Sequence, residues 1–328
     1  MDLPADSYPV PDDEPALRRG AMPVRPPDPG IGGRLAYWLF PIRRRTIFDN
    51  LRHVFGDSLS QPQRRRWAQA HYGHLWRCGY EAIGWWLAPR RFKYRVEVAE
   101  AAWEFDLRTG GRLVLVAHLG NFELVPLASL WENPAVRGRF HVIRRPLPFG
   151  WLDRLVHHAF ARAGIGVIRD HGALPIVEQV LRRGECVAFM LDQHAGPRHG
   201  VIVDFFGQPA STFRSLAELS LRLGQPAVPY LTWREPDGTH VVRFDDPIFP
   251  AQHADFETAV RSTTQSYSDV LEHFISRYPE QWFWVHRRWK ASMASHRRRA
   301  ERNVDAPEIV RRVAPRPPVA VLPVDDGS

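Results

Sequence analysis

The sequence predicts an α/β fold in which a mostly parallel central sheet is covered by helices and follows a helical N-terminal portion. Short apolar runs typical of β-strands alternate with segments of helical pattern, as they do in parallel sheets. The run from Arg112 to Ala117 is almost wholly apolar, as expected of a strand buried on both faces. Two helical segments, 44–56 and 61–88, precede this strand, and the second is rich in Trp and Tyr.

The other elements are predicted in chain order. The segment 97–109 is predicted to be a helix that ends at Gly110-Gly111, and helical pattern resumes over 121–131. Further strands are expected at 140–144, 186–191, 226–233 and 240–245. Further helices are expected at 150–164, 173–183, 213–223 and 254–277.

Composition divides the 328 residues into three parts. Residues 1–30 carry many prolines and acids without a period and are predicted to form a disordered tail. Residues 31–290 are predicted to form the folded domain, and residues 291–328 a second tail that is basic and then Pro-rich. The apolar fraction of 44% and the charged fraction of 24% are ordinary globular values.

The chain is basic, with a formal net charge of +8 that arises almost entirely from arginine. The excess lies in residues 31–290 rather than in the tails. Such a surface suits phosphate on a membrane or a nucleic acid, and it also suits an acidic carrier protein. Cys78 and Cys186 are the only cysteines, so we expect neither a disulfide framework nor a zinc cluster, and a reducing cytosolic setting fits best.

The membrane signals are short. The N-terminus is acidic and Pro-rich rather than a signal peptide, and no run approaches the roughly 18–20 apolar residues that span a bilayer. The most membrane-like segments are Leu35 to Ile42 and Leu75 to Leu87. We therefore expect a protein that lies on a membrane surface and does not cross it.

The most informative window surrounds His118, which directly follows the first buried strand. Gly120-Asn121 can form a tight turn, and Glu123 falls in the first turn of the next helix. Ligands bind beyond the carboxyl ends of strands in open α/β sheets. Glu123 could therefore hold one imidazole nitrogen while the other takes a proton from a substrate hydroxyl. In the simpler alternative, His118 only caps a turn, and Glu123 is stabilised by the dipole at the N-terminus of the helix.

The segment His118–Glu123 resembles the HX4E block of the lipid A biosynthesis acyltransferases, which include lauroyl and myristoyl transferases. Further blocks follow in the family's order, at 43–51, 142–146, 191–197, 203–212 and 279–290. Two departures stand out. An acidic tail replaces the usual apolar N-terminal helix, and His194 stands where the family's block at 191–197 often has Asp.

The resemblance implies a glycerol-phosphate acyltransferase-like fold and acyl transfer to a hydroxyl of a membrane glycolipid, such as a lipid A precursor. The donor would be a thioester of acyl carrier protein or coenzyme A, with no other cofactor and no metal. The resemblance also implies a peripheral position on the cytoplasmic face of a bacterial inner membrane.

The resemblance also implies roles for single residues in the first half of the site. His118 would be the general base and Glu123 its orienting partner. Backbone N–H groups near Asn121 would stabilise the oxyanion, and Arg145 would hold substrate phosphate or the same oxyanion. Arg144 is interpreted as ordinary surface charge.

The second half of the site comes from later blocks. Asp192 and Gln193 would shape the pocket rim, and the pair Ser211-Thr212 would bind substrate, although helix capping explains that pair equally well. Arg287 and Arg288 are predicted to contact phosphate, whereas the neighbouring tryptophans are predicted to pack in the core.

Other classes of protein lack their motifs in this sequence. There is no GxSxG element for a serine hydrolase, no P-loop or GxGxxG for a nucleotide-binding enzyme, and no nucleic-acid recognition motif. His157 and His158 point to different faces of a predicted helix and are not expected to hold a metal. A non-catalytic or differently specific membrane-surface lipid-binding relative remains the alternative.

Overall fold

The computed structural model describes residues 26–88, 92–105, 111–131 and 137–290. The predicted tails, 1–30 and 291–328, fall largely outside these residues, so they stay predictions. The described residues belong to two compact units. One contains Arg77–Leu191 and Ser215–Thr263; the other contains the residues up to Trp76, the segment Asp192–Arg214 and the residues from Thr264 onward.

The helices of the described residues are α1 (Gly30–Leu39), α2 (Arg44–Phe55), α3 (Gln61–Leu87), α4 (Leu124–Trp131), α5 (Gly150–Arg162), α6 (Ala173–Arg182), α7 (Ser215–Leu223) and α8 (Phe256–Arg277). The strands are β1 (Tyr94–Val98), β2 (Leu113–Val116), β3 (Phe140–Arg144), β4 (Ile165–Arg169), β5 (Cys186–Met190), β6 (Gly200–Phe205), β7 (Gln208–Phe213), β8 (Ala227–Arg234) and β9 (His240–Phe244). None of the helices in these ranges is long and apolar enough to cross a bilayer.

The first unit is built on a seven-stranded sheet with the order β1-β9-β8-β2-β5-β3-β4. All neighbouring strands are parallel except β8 and β9, which are antiparallel. The central strands β2 and β8 are buried along their whole length. The predicted α/β class with a mostly parallel sheet is therefore confirmed, as is the helical N-terminal portion.

The second unit contains a two-stranded antiparallel sheet formed by β6 and β7. The loop between them has two residues, Phe206 and Gly207, both at positive φ (54° and 69°). Two successive positive φ angles are typical of the two-residue turns whose twist matches that of a β-hairpin. A phenylalanine at positive φ is nevertheless uncommon. The turn lacks the Asn-Gly or Asp-Gly signal, so the sequence pattern does not predict this hairpin.

The helix predicted over 97–109 is wrong. Residues Tyr94–Val98 form β1, and the described part beyond it is a short 3₁₀ helix, Glu100–Phe105. The segment YRVEV alternates in the manner of a strand, and β-branched Val96 and Val98 favour that conformation. The strand β4 was also missed, and the helix α1 was described only as a membrane-like segment.

Candidate active site

The turn after β2 positions His118. The side chain follows four buried strand residues and is itself only 6% exposed. The Thr232 hydroxyl of β8 donates a hydrogen bond to the Leu119 carbonyl oxygen, at 2.8 Å. Gly120 has φ +64°, and a Cβ there would lie 2.6 Å from the Thr232 carbonyl oxygen. Only glycine fits this contact, so the turn lies directly against the backbone of β8.

The residues after the turn begin α4. The Asn121 carbonyl oxygen accepts hydrogen bonds from the N–H groups of Leu124 and Val125. The Phe122 ring meets the His118 ring edge to face, with centroids 4.7 Å apart and an interplanar angle of 74°. This contact restricts rotation of the imidazole. Glu123 is exposed in the turn before α4, and its role as the orienting partner of His118 stays a prediction.

A buried ionic cluster, which the sequence analysis missed, supports the same turn. The amide of Asn121 donates to the Glu81 carboxylate at 2.9 Å. Arg234 of β8 contacts both oxygens of that carboxylate, at 2.6 and 3.1 Å, and His240 of β9 lies 3.3 Å from it. One signal in the sequence could have revealed this cluster, since Glu81 is an isolated acid in the aromatic stretch of α3. Buried acids occur mostly where they are paired, so an acid in such a stretch indicates buried partners.

The cluster keeps the carboxylate of Glu81 charged. Burial alone would raise its pKa, but the hydrogen bonds from His240 and Arg234 outweigh burial and lower the pKa to about 2. Cys78, close to Arg234, behaves differently, because burial raises the pKa of its thiol to about 12. The thiol is therefore protonated at neutral pH and is not an activated nucleophile.

Arg145 follows β3 at the carboxyl edge of the sheet. Its side chain is exposed, and its Nε donates a hydrogen bond of 3.0 Å to Asp170. Asp170 also lies 3.0 Å from His171. An exposed ion pair of this kind contributes little to stability, so a ligand can displace it at low cost. Contact between Arg145 and substrate stays a prediction.

In the second unit, Asp192 and Gln193 contact the C-terminal block, the family block predicted at 279–290. The Trp282 indole N–H donates to the buried Asp192 carboxylate at 2.8 Å, and the Gln193 amide lies 3.2 Å from His286. In addition, Asn50 of α2 donates to the carbonyl oxygens of Trp284 and His286. These contacts fix the C-terminal block. The predicted role of Asp192 and Gln193 at a pocket rim stays a prediction.

Arg288 is only 1% exposed. Its guanidinium donates to the carbonyl oxygens of Gln193 and Ser211 and to the Thr212 hydroxyl, at 2.6–3.0 Å, and lies over the Phe205 ring. Such burial favours a structural role over the predicted phosphate contact, since bound phosphate would have to replace these partners. The same reasoning applies to Ser211 and Thr212, both of which are buried. Arg287 is exposed and is the better candidate for phosphate.

The carboxyl group of Glu272 in α8 has an unusually high pKa. Burial raises its pKa to about 8, and the nearby acids Asp204 and Asp269 add to this effect, although the Phe206 N–H, which donates to the carboxylate, lowers it. In the unfolded chain a glutamate titrates near pKa 4.3. The folded protein therefore holds this proton more tightly than the unfolded chain does.

The pKa of Glu272 predicts a pH-dependent stability. Its contribution is fully present below the unfolded pKa and is lost as the pH rises towards about 8. We expect Glu272→Gln to stabilise the protein increasingly, relative to the wild type, as the pH rises from 5 to 8. Urea unfolding at several pH values measures this difference. The exposed Glu257→Gln on the same helix should show no such trend, and a constant difference for Glu272→Gln would contradict the assignment.

Among the residues that the structure describes, no group of three or more His, Cys, Asp or Glu side chains could hold a metal ion. The chemistry that this site offers is that of a restrained histidine at the carboxyl edge of a parallel sheet. A histidine whose ring is held against Phe122 and whose turn is fixed by Thr232 is suited to proton transfer.

Comparison with known proteins agrees with this chemistry. The family model described as "Bacterial lipid A biosynthesis acyltransferase" matches residues 22–291. The chain is 24% identical over 262 residues to the lipid A biosynthesis lauroyltransferase of Escherichia coli (strain K12), covering 79% of this chain and 82% of that protein. It is 27% identical over 193 residues to the phosphatidylinositol mannoside acyltransferase of Mycobacterium tuberculosis (strain ATCC 25618 / H37Rv), covering 57% of each.

Proposed function

The chain belongs to the bacterial lipid A biosynthesis acyltransferase family, and on this basis we propose that it transfers a fatty acyl group to a hydroxyl of a membrane glycolipid. The resemblance predicted from the ordered sequence blocks is thereby confirmed, and membership identifies the chain as an O-acyltransferase. The two relatives named above act on different glycolipids, so family membership supports the reaction more strongly than it supports any one acceptor.

The observation that carries the proposal is the turn from His118 to Glu123. His118 removes the proton of the acceptor hydroxyl while the hydroxyl oxygen attacks the thioester carbonyl. The resulting oxyanion is stabilised by backbone N–H groups near Asn121, in the turn that precedes α4, with Arg145 as a further candidate. The tetrahedral intermediate collapses, the C–S bond breaks, and the thiolate of the donor takes the proton held by His118 and leaves as a thiol.

The donor is proposed to be an acyl thioester of acyl carrier protein or of coenzyme A. A thioester is already activated, so the mechanism needs no metal and no bound cofactor. The acceptor is proposed to be a glycolipid such as a lipid A precursor, presented at the cytoplasmic face of the inner membrane. The basic surface of the chain suits both an acidic carrier and an anionic headgroup.

The support for membrane attachment is the outer face of α1. Ile31, Leu35, Trp38 and Leu39 recur at the spacing of one helix face, and all four are 56–78% exposed. On the opposite face, Gly33 lies against the backbone of α3 near Gln69. A soluble surface helix has the reverse arrangement, with its apolar face inward.

Basic residues accompany this apolar face of α1. Arg34, Arg43 and Arg45 are exposed, and Arg44 donates to the carbonyl oxygens of Tyr37 and Trp38 in the last turn. A helix with exposed tryptophan, leucine and isoleucine beside arginines is suited to the headgroup level of an anionic bilayer. We propose that α1 is the membrane-binding element of this unit.

Membrane binding gives a prediction for α1. The double variant Trp38→Glu/Leu39→Glu should weaken binding to vesicles of phosphatidylcholine and phosphatidylglycerol by at least about a hundredfold, since it removes two inserted side chains and adds repulsive charge. Vesicle flotation measures the bound fraction. The matched control is Leu174→Glu/Ile176→Glu, which changes two exposed apolar residues of α6. Equal binding of both variants would rule out α1 as the attachment site.

The reaction itself is tested with purified protein and a total bacterial lipid extract. Radiolabelled acyl carrier protein thioester and acyl-coenzyme A are supplied in separate reactions. We expect label in one lipid product with one of the two donors, and mass spectrometry of that product identifies the acceptor. No labelled lipid with either donor, from folded and vesicle-bound protein, would count against catalysis and in favour of a lipid-binding relative.

A further inference from the structure

A basic cleft opens in the first unit beside the family block predicted at 142–146. It has a volume of about 330 Å³ and is lined by side chains of β3, β4 and α5. Its polar lining includes Arg144, Arg154, Arg169 and the pair His157-His158. Both histidines therefore contribute to one cleft, although adjacent residues of a helix are expected to point to different faces.

The charges of this cleft are unbalanced. Asp153 is the acid in the lining, and it is already engaged by Arg144 at 3.0 Å and by the Leu147 N–H. Among the residues that the structure describes, neither Arg154 nor Arg169 has an ion-pair partner. Arg144 is paired in register with Arg169, so the compensated arginine lies beside one that has no acid partner among the described residues. An anion between the two strand ends would balance the charges of Arg154 and Arg169.

The cleft lies at the same edge of the sheet as His118. Arg144 and Arg169 are the last residues of β3 and β4, and His118 follows the end of β2. Only β5 separates β2 from β3, and all these strands are parallel. At roughly 4.8 Å per strand, the cleft begins about 10 Å from the proposed base.

Apolar side chains surround the start of α5. Phe149, Trp151 and Leu155 are each about half exposed or more, and Trp151 and Leu155 occupy one face of the helix. A phosphate site flanked by exposed aromatic and aliphatic groups is suited to the junction of a lipid headgroup with its acyl chains.

From these observations we propose that the cleft binds a phosphate group in the headgroup of the lipid acceptor. Arg154 and Arg169 supply the charge, Arg144 is held in place by Asp153, and Phe149 and Trp151 contact the lipid beyond the phosphate. The proposal rests on the proposed acyl transfer, because it assigns the cleft to the acceptor of that reaction. The hydroxyl that reacts would then lie about 10 Å from the bound phosphate.

The test is direct binding to a short-chain lipid that does not form bilayers, so that membrane attachment does not contribute. Calorimetry compares dihexanoyl phosphatidic acid with dihexanoyl phosphatidylserine, inorganic phosphate and coenzyme A. The variant is Arg154→Gln/Arg169→Gln, and the matched control is Arg162→Gln/Arg182→Gln, which removes two exposed arginines outside the cleft. Both pairs lie on the surface, so neither should prevent folding.

We expect phosphatidic acid to bind at least about tenfold more tightly than inorganic phosphate, because only the lipid reaches the apolar rim. The cleft variant should lose at least about tenfold in affinity for phosphatidic acid, and the control less than about twofold. Unchanged affinity in the cleft variant would overturn the proposal. Equal binding of inorganic phosphate would overturn the assignment to a lipid headgroup.

The remaining outcomes separate the possible partners. If the cleft variant loses affinity for coenzyme A but keeps its affinity for phosphatidic acid, the cleft belongs to the donor and the proposal is wrong. These binding measurements need no turnover. A wild-type protein that binds phosphatidic acid in the cleft but transfers no acyl group would therefore contradict the proposed function alone.

Discussion

His118→Ala is expected to lower the rate of acyl transfer by about 10²–10⁴, the range typical of removing a general base. The hydroxyl of the acceptor would then lack its proposed base. The initial rate of labelled product formation, measured at saturating donor, checks this expectation. Vesicle binding should stay unchanged, since His118 lies outside α1.

The control for this variant is His253→Ala, which removes an exposed imidazole from the same unit and should leave the rate unchanged. His118 is buried, so the unfolding midpoint of each variant must also be compared with that of the wild type. Near-normal turnover in a folded His118→Ala protein would refute the mechanism. His118 would then have only the simpler role of capping a turn.

Glu81→Leu is expected to destabilise the protein by about 3–5 kcal/mol, the cost typical of leaving one partner of a buried ion pair uncompensated. Arg234 is only 6% exposed and would lose its carboxylate partner, while Asn121 would lose an acceptor. Urea unfolding measures the loss. Because Asn121 belongs to the turn of His118, turnover of the folded fraction should also fall.

Two comparisons show whether this loss reflects the buried charge. The double variant Glu81→Leu/Arg234→Met should be more stable than Glu81→Leu, because it also removes the buried guanidinium that has lost its carboxylate. Glu178→Leu, which breaks an exposed pair with Arg182, should cost less than about 1 kcal/mol. If Glu81→Leu proved as mild as Glu178→Leu, the cluster would not support the turn.

The sequence predicted elements that carry a strong local pattern. The apolar run of β2, the glycine after His118 and the long aromatic α3 could all be read from neighbouring residues. The two sheet strands that were missed, β1 and β4, are the two edges of the seven-stranded sheet. An edge strand is covered less completely, so its sequence carries a weaker apolar signal, and this is visible in the partly exposed residues of Tyr94–Val98.

The sequence predicted the site residues that are close together along the chain, and it did not predict those that come together only in the fold. His118, Asn121 and Glu123 lie within six consecutive residues, whereas Glu81 and Arg234 are 153 residues apart. Nothing in a single sequence links such partners, because their proximity follows from strand order. Likewise, the sequence could not show that Arg288 lies inside the protein rather than on its surface.

The contact of Gly120 with the backbone of β8 determines how the enzyme should lose activity on heating. Many active-site loops open independently of the core, so their activity disappears well before the protein melts. Here the turn that carries His118 is joined to a strand buried along its whole length. Heat inactivation should therefore follow the melting of the sheet, and the proposed base should keep its place for as long as the sheet persists.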